Sequence, residues 1–522
     1  MTMISAVRSR ALPRSLSLSR LFVVAIALTA ALLPGTASAQ GRRARVSEDL
    51  RQAIDAGNTS ATSVIVTATP ARVNAIARRH GLVVRKQLAT GALLDVPAGG
   101  LAALADDAEL DQLSGNTPMR SQMAVTNVAI GADQVQAGGW GPSVRGLTGK
   151  GVGVAVIDSG VANVPELRGR VVANVDFTGT SQAAADRYGH GTHVAGIIAA
   201  AVDAQNGDSG VAPGAQIVNL KVLDDNGAGL AADVILAIDW AVANRIRFNI
   251  RVINLSLGGP VRQSWRDDPL SHAVERAYKA GIVVVAAAGN VGRAADGRTI
   301  YGGITAPGNS PFALTVGALN ANSTGFRSDD VVATYSSRGP TLFDRLVKPD
   351  VVAPGSRIAS LLAPGSALVK AHPERVVDTH GRRRLLLSGT SMAAAVASGA
   401  AAQIVGAYPK IAPVGVRFRM QYAASRSGTE YVVTEGAGSL NLLGSIALGL
   451  PGVRDVLIAG DDTQAARFVF GHSEIWSDIE LRTEISEVLW GSGVIWAGSD
   501  DGVIWAGSDD GVIWAGSDGG AV

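Results

Sequence analysis

The middle of the chain, residues 151–319, alternates short apolar runs with longer amphipathic stretches. The runs are rich in Val and Ile and predict buried β-strands; in order they are GVGVAVID, AQIVNLKVL, IRVINLSLG, GIVVVAAAGN and ALTVGAL. The intervening THVAGIIAAAVD and AADVILAIDWAVANR predict helices. Buried strands that alternate with helices predict the α/β fold class, a mostly parallel sheet with helices on both faces. Functional side chains in such folds lie at the carboxyl ends of strands, which is where Asp158 and Asn290 occur.

A different pattern comes before this region and predicts a small α+β domain. The segment SVIVTAT (63–69) predicts a strand, and residues 70–81 predict a helix that starts at Pro70 and ends at Gly81. LVVRKQL and ALLDVPA predict a hairpin, and GLAALADDAEL predicts a second helix. The Arg- and Ala-rich residues 40–62 are expected to be loose.

The first 39 residues have the layout of a secretory signal peptide. Four arginines precede an apolar run from Leu21 to Leu33, and Pro34 and the small-residue site Ala37–Ala39 follow. The run has 13 residues, fewer than the roughly 20 of a membrane-spanning helix. We therefore expect cleavage after Ala39 and an exported protein, extracellular or periplasmic or on the cell surface, with no transmembrane segment after signal removal.

The last part of the chain, 451–522, carries a nine-residue repeat, GVIWAGSDD. Its equivalent positions are Gly493, Gly502 and Gly511, and Trp496, Trp505 and Trp514. Val-Ile-Trp favours strand and Ser-Asp-Asp-Gly favours a tight turn, so the repeat predicts stacked hairpins or a small solenoid. Three readings of this tail stay open: packing within a small β domain, contact with a cell surface, and binding of calcium by the repeated Asp pairs.

Composition excludes several classes of function. The chain has no cysteine, which excludes disulfides and thiol catalysis. It has 46 basic against 44 acidic residues, an excess too small to indicate nucleic-acid binding. The leader holds four of the arginines and no acid, so the remainder carries 42 against 44.

Three short motifs carry the chemistry: VAVIDSG around Asp158, GHGTHVAG around His190 and SGTSMA around Ser391. A serine hydroxyl becomes a good nucleophile when an imidazole takes its proton, and a buried carboxylate orients that imidazole. The order Asp, His, Ser is that of subtilisin and differs from the orders in chymotrypsin and the α/β-hydrolases. A metal site formed by His190 and His193 is the alternative, although the Glu of an HExxH pattern is missing.

On these motifs the chain resembles the subtilisin family of serine proteases. TYSSRGPT (334–341) and KPDVVAPG (348–355) also match stretches typical of bacterial members. The resemblance implies that Ser391 is the nucleophile, His190 the general base, Asp158 its orienting acid and Asn290 the oxyanion donor. It further implies that the substrate-binding residues are Ser256, Leu257 and Gly258 on one side of the cleft and Ala288 and Gly289 on the other. The small residues of both walls favour a large apolar side chain at P1, the residue on the acyl side of the cleaved bond.

The resemblance also predicts the domain organisation and the partners. We expect a signal peptide at 1–39, an inhibitory pro-domain at 40–123, a subtilisin-like catalytic domain at 124–450 and the repeat tail at 451–522. An unrelated ferredoxin-like domain is the alternative for the second unit. The partners are protein or peptide substrates and the chain's own pro-domain, with no nucleic acid. No cofactor is required for the chemistry, and structural calcium is an option for which the sequence assigns no ligands.

The chain departs from the family pattern in two places. Ala395 stands where the family usually has a proline, so helix 391–402 should run straighter and could shift Ser391. Residues 361–387 form an insertion whose run Arg382–Arg384 reads as a solvated loop or a processing site.

The sequence thus predicts a secreted serine endopeptidase that works through an acyl-enzyme and matures by cleaving its own pro-domain. The alternative is a surface-associated binding protein, adhesin-like or a pseudoprotease, which acts through its Trp-rich repeats.

Overall fold

A computed structural model of the full chain describes most of residues 44–448 and four short strands beyond them. The described ranges are 44–57, 59–116, 118–121, 127–139, 145–179, 184–202, 208–294, 296–322, 327, 330–379, 381–426, 430–448, 457–458, 461–462, 468–470 and 503–505. The predicted signal peptide and most of the repeat tail lie outside the described residues.

The first domain is a five-stranded sheet with three helices. In chain order its elements are β1 (Arg45–Val46), α1 (Glu48–Asp55), β2 (Thr62–Thr67), α2 (Pro70–His80), β3 (Val83–Leu88), β4 (Gly91–Val96), α3 (Leu101–Ala105) and β5 (Gln112–Gly115). The strand order is β1-β5-β2-β4-β3. Helix α2 begins at a proline and ends at Gly81 in the left-handed region (φ 64°), as the sequence indicates. The expectation of a loose segment at 40–62 was wrong for α1, in which Leu50 is buried against the domain core.

A short strand, β6 (Pro118–Ser121), leaves the first domain and enters a second sheet. It pairs antiparallel with β10 (Ala228–Leu230) on one side and with β12 (Leu257–Gly258) on the other. Both partners belong to the larger domain that follows, so a segment of the N-terminal region lies as the central strand between two edges of that domain.

The larger domain contains the predicted parallel sheet. Its remaining elements are α4 (Ala132–Ala137), β7 (Gly153–Asp158), β8 (Val171–Asp176), α5 (His190–Ala199), β9 (Gln216–Lys221), α6 (Ala231–Ala243), β11 (Ile250–Leu255), α7 (Pro269–Lys279), β13 (Val283–Ala287), β14 (Ala313–Asn320), β15 (Val331–Val332), β16 (Val351–Pro354), β17 (Ile358–Ser360), α8 (Ala367–Ala371), β18 (Val376–Thr379), β19 (Arg382–Leu387), α9 (Thr390–Ala407), α10 (Pro413–Ala423), α11 (Val432–Glu435) and α12 (Leu442–Ala447). The strand order is β15-β14-β13-β11-β7-β9-β8, and β16 also pairs with β14. Every pair is parallel except β14 with β15.

Alternate residues of each strand enter cores on opposite faces of this sheet. In β7, Val154 and Val156 belong to one core, and Ala155 and Ile157 belong to the other. Helices α5 and α9 cover the first face, and α6 and α7 cover the second. A strand buried on both faces reads as a continuous apolar run, which is why the sequence predicted the sheet correctly.

Helix α9 crosses the first face and packs against β11, β13, β14 and β16. Among the described residues it is the one helix with the length and hydropathy of a membrane span, and 89% of that stretch is buried inside the protein. It runs unbroken through Ala395, the position where the family proline is replaced.

The run Arg382–Arg384 in the segment 361–387 is not the solvated loop expected from sequence, because it opens strand β19. Strands β18 and β19 of this segment form a small sheet with β17, which precedes the segment, in the order β17-β19-β18. Leu385 and Leu387 are buried, while Arg384 donates a hydrogen bond of 2.8 Å to Glu166. Burial alone would raise the pKa of the Glu166 carboxyl. Arg384 and Arg382 beside this carboxyl nevertheless hold its pKa below the usual range. The burial of Leu385 and Leu387 and the ion pair between Arg384 and Glu166 therefore stabilise this segment as a strand.

The four described tail strands form two pairs. Strand β20 (Leu457–Ile458) pairs with β21 (Asp461–Asp462), and β22 (Phe468–Phe470) pairs antiparallel with β23 (Val503–Trp505). The Val-Ile-Trp segment of one repeat is thus a strand, and the other copies lie outside the described residues.

A buried cation holds the end of the sheet together. The Lys348 ammonium donates to Asp350 Oδ2 at 2.6 Å and to the Ala313 carbonyl at 2.7 Å. Arg417 also lies beside Asp350, with 3.7 Å between Nε and Oδ1. Burial lowers the pKa of Lys348 to about 8. Charged groups this deep are stable only as partners of one another.

We expect Lys348→Met to destabilise the fold strongly, by about 3 kcal/mol, because the buried Asp350 carboxylate loses its 2.6 Å partner and keeps only the more distant Arg417 as a compensating charge. The urea midpoint of unfolding measures this, in a Ser391→Ala background that prevents self-digestion.

The matched control is Lys279→Met, which breaks an ion pair with Glu275 whose lysine is 67% exposed. Surface pairs of this kind contribute about 0.5 kcal/mol or less. Equal midpoints for the two variants would contradict the role assigned to Lys348.

Candidate active site

Asp158 lies at the end of β7 and is buried. One of its carboxylate oxygens, Oδ1, lies 2.6 Å from His190 Nδ1 and accepts the backbone N–H of Ser159 at 2.7 Å. A buried carboxylate held in this way fixes the orientation and tautomer of the imidazole, with the proton on Nδ1 and the basic lone pair on Nε2.

His190 is the first residue of α5, and a second buried carboxylate, Asp186, fixes the start of that helix. Asp186 accepts the backbone N–H groups of Gly189 at 2.6 Å and Thr192 at 2.8 Å, and the Thr192 hydroxyl at 2.6 Å. It also accepts the hydroxyl of Ser159, the neighbour of Asp158, at 2.9 Å. Burial raises the pKa of Asp186, against the effect of these hydrogen bonds. The Asp186 side chain thus connects the turn after Asp158 to the start of helix α5, which carries His190.

His193, the second histidine of the motif, is bound to a different part of the chain from His190. Its Nε2 lies 2.8 Å from the Leu385 carbonyl, and the ring is buried. Burial lowers the pKa of His193 to about 3. The ring is therefore neutral near pH 7 and donates to the carbonyl, which is a structural contact.

Ser391 is the second residue of α9 and is bound reciprocally to Ser256. The Ser391 hydroxyl donates to the Ser256 carbonyl at 3.0 Å, and the Ser256 hydroxyl donates to the Ser391 carbonyl at 2.6 Å. Asn254 donates to the Ser256 hydroxyl and accepts from Ser398, each at 2.9 Å. This chain of hydrogen bonds fixes the first two turns of α9 against β11.

Asn290 lies just beyond β13, beside the start of the same helix. Its Oδ1 accepts the Thr390 N–H at 3.0 Å and the Thr390 hydroxyl at 3.1 Å. The side-chain oxygen is thereby occupied, so the amide N–H₂ is the end available to donate. The first backbone N–H groups of a helix lack intrahelical acceptors, and a donor pair of this kind can stabilise an oxyanion.

The two sequence-predicted substrate walls flank Ser391. Leu257 and Gly258 form β12, whose edge is paired with β6. Ala288 is buried and follows β13, and Gly289, at φ 104°, donates its N–H to the Thr390 hydroxyl at 3.0 Å. All nine residues that the sequence selected therefore lie on segments that meet at the carboxyl edge of the sheet or at the start of α5 or α9.

Sequence reasoning missed Asp186, Ser159, Asn254 and Ser398. The available signal was faint: Asn254 interrupts an apolar strand, and Asp186 precedes His190 by four residues. No group of three or more His, Asp or Glu side chains close enough to hold a metal occurs in the part of the chain that the structure describes.

Comparison with known proteins assigns the family. Residues 149–445 match the model of the Subtilase family. The chain is 38% identical over 310 residues to the serine protease AprX of Bacillus subtilis, covering 58% of this chain and 67% of that protein. It is 34% identical over 308 residues to subtilisin DY of Bacillus licheniformis, covering 59% of this chain and 93% of that protein.

A solved structure shares the fold. The crystal structure of fervidolysin from Fervidobacterium pennivorans, described as a keratinolytic enzyme related to subtilisin, matches with a TM-score of 0.61 and 24% identity. The match covers 82% of this chain and 66% of that chain. With the family match and the relatives above, the subtilisin-like α/β fold and the serine-protease motifs lead to one conclusion: this chain belongs to the Subtilase family and is a serine endopeptidase of the subtilisin type.

Proposed function

We propose that this endopeptidase cleaves peptide bonds through Asp158, His190 and Ser391. The observation that carries the proposal is the buried 2.6 Å contact between Asp158 and His190 Nδ1, which leaves His190 Nε2 to act as the base. Metal binding by His190 and His193 has no support here, because the buried ring of His193 donates to a backbone carbonyl.

In this mechanism the Ser391 oxygen attacks the carbonyl carbon while His190 Nε2 takes the hydroxyl proton. Asp158 stabilises the imidazolium that forms. Asn290 and the Ser391 N–H donate to the oxyanion. His190 then gives its proton to the leaving amine, and water hydrolyses the acyl-enzyme by the same steps. The residues alone supply this chemistry, so no cofactor takes part.

The segment 40–123 is proposed to act as an inhibitory pro-domain of the catalytic domain 124–450. Strand β6 occupies the edge between β10 and β12 on which an extended substrate would add as a strand. Just before β6 in the chain, the Asn116 side chain accepts the Ala232 N–H at 3.3 Å, so a residue of the first domain caps the N-terminal end of α6. Lys86 pairs with Asp233 in the same helix, and Gln263 donates to Ser114 at 2.7 Å.

The register of β6 also gives the bond that the enzyme is proposed to cleave in its own chain. Ser121 lies opposite Leu257 and Arg120 opposite Gly258, so β6 runs antiparallel along β12 toward Ser256. The Ser256 carbonyl is the one that Ser391 contacts at 3.0 Å. Counting along the sequence therefore assigns Gln122 to P1 and cleavage to the bond between Gln122 and Met123, one residue before the boundary predicted from sequence.

Secretion is proposed on the leader at 1–39, which lies outside the described residues. Of the three interpretations of the tail, 451–522, contact with a cell surface and calcium binding receive no specific support from the paired strand Val503–Trp505, so binding through the repeats is not carried forward as a function.

Expression of residues 40–522 tests the catalytic and maturation proposals together. We expect the wild-type protein to lose residues 40–122 and begin at Met123, because its own β6 is already held as a substrate strand. The Ser391→Ala protein should stay intact. Intact mass and N-terminal sequencing give the answer.

A trace of mature enzyme added to Ser391→Ala is the control that the bond is accessible, and it should restore the same cleavage. Normal maturation of Ser391→Ala alone would refute Ser391 as the nucleophile.

Asp186 is expected to act as a positioning residue for His190. Asp186→Asn replaces an acceptor by a donor that faces N–H and O–H groups, so the start of α5 must shift. A displacement near 1 Å can cost about 100-fold in rate, and we expect kcat to fall by about 10- to 100-fold while KM, set by the unaffected substrate strand, stays nearly constant. Steady-state kinetics on a peptide amide separates the two constants.

Ser159→Ala, which removes one of the hydrogen bonds, should lower kcat less and in the same direction. The matched control is Asp239→Asn, which breaks a bond to Arg276 on the far face and should leave kcat unchanged. A kcat equal to that of the wild type in Asp186→Asn would contradict the role of Asp186 in positioning His190.

A further inference from the structure

The start of helix α8 lies beside the residues that come just before the proposed general base. The Ala367 N–H donates to the Arg187 carbonyl at 2.8 Å, and the Leu368 N–H donates to the Tyr188 carbonyl at 3.1 Å. The first N–H groups of a helix lack intrahelical acceptors, and these two carbonyls supply them. Residues 187–189, which we call the histidine loop, are therefore bonded to α8 through the main chain.

A close side-chain contact joins the same two segments. A Cβ placed on Gly189 would lie 2.5 Å from Ser366 Oγ and 2.9 Å from Ser366 Cβ. Ser366, the residue before α8, is buried. Because no space is left between them, the histidine loop can move toward α8 only if Ser366 moves as well.

The segment 361–387, which contains α8, also contacts α5 one turn beyond His190. The Leu385 carbonyl lies 2.8 Å from His193 Nε2. The hydroxyl of Ser360, which directly precedes the segment, donates to the His193 carbonyl at 2.9 Å. This part of the chain therefore holds the polypeptide on both sides of His190.

The histidine loop is held by Asp186 through a different set of groups. Asp186 accepts the Gly189 N–H at 2.6 Å, whereas α8 donates to the two carbonyls of the loop. His190 follows the loop directly, and its Nδ1 lies 2.6 Å from Asp158 Oδ1. A displacement of the loop would therefore change the contact between the acid and the base.

We propose that residues 366–368 position His190 by holding the histidine loop, so that the imidazole keeps its short contact with Asp158. The inference rests on the proposed function and deepens it. It assigns a role in the reaction to the segment 361–387, in which the chain departs from the family pattern and in which none of the triad motifs lies.

The test is Ala367→Pro, which removes one of the two N–H groups with little change to α8. Ala367 is the first residue of that helix, where proline is well accepted. Ser366 before it has φ −65° and ψ 162°, the extended conformation that a residue preceding proline favours. The proline ring takes the place of the hydrogen, so the Arg187 carbonyl must move away from α8.

We expect kcat of the mature enzyme on a peptide amide to fall by about 10-fold or more while KM stays nearly constant, because a displacement near 1 Å can cost about 100-fold in rate. Titration of the reactive serine with a sulfonyl fluoride gives the concentration of competent enzyme, so misfolded protein does not enter kcat.

Two control variants accompany this measurement. Ala367→Ser keeps the N–H and should keep kcat within about 2-fold of the wild type. Lys370→Ala changes an exposed side chain of the same helix and should do the same.

A double variant tests whether α8 acts through the same loop as Asp186. The fall in kcat for Asp186→Asn with Ala367→Pro should differ from the product of the two single falls by about 3-fold or more, since residues that share a partner are not additive. Falls that simply multiply would place the effect of Ala367→Pro outside the histidine loop and overturn the proposal.

An unchanged kcat in Ala367→Pro, or a rise in KM with kcat unchanged, would also overturn the positioning role of α8 and leave the proposed function intact. A wild-type enzyme that cleaves no peptide would overturn the proposed function itself.

Discussion

The active site depends on one buried hydrogen bond, the 2.6 Å contact between Asp158 and His190. A carboxylate at the end of a fully buried strand is costly unless donors surround it. The protein supplies them from the Ser159 backbone and the imidazole, and it supports both through Asp186, which is itself buried. The same hydrogen bonds that make the carboxylate tolerable in the core also orient the histidine for proton transfer.

The parallel sheet explains why residues far apart in sequence meet. Strands β7, β11 and β13 are neighbours, and Asp158, Ser256 and Asn290 lie at or just beyond their carboxyl ends. Helix α9 then brings Ser391 to the same edge, where two hydrogen bonds with Ser256 fix it. The central strand β6 is proposed to use this arrangement as a substrate would, which links the inhibition proposed for the N-terminal domain to its removal.

Much of this was predictable because local patterns agree with the global fold. Buried strands appear as apolar runs, and the triad motifs place their polar residues at strand and helix ends. The failures share a physical cause, since they depend on contacts between distant segments. The run Arg382–Arg384 looks like solvated sequence, and only Glu166 and the buried leucines of β19 make it a strand. Asp186 lies in no motif, and its importance appears only when its hydrogen bonds with Ser159, Gly189 and Thr192 are seen.

In the proposed mechanism His190, oriented by Asp158, activates the hydroxyl of Ser391. The most direct measurement is labelling of the mature enzyme with a sulfonyl fluoride, followed by peptide mapping in a mass spectrometer. We expect a single adduct on Ser391 that forms in the wild type and is lost in His190→Ala. An adduct on another serine, or equal labelling of Ser391 in both proteins, would contradict it.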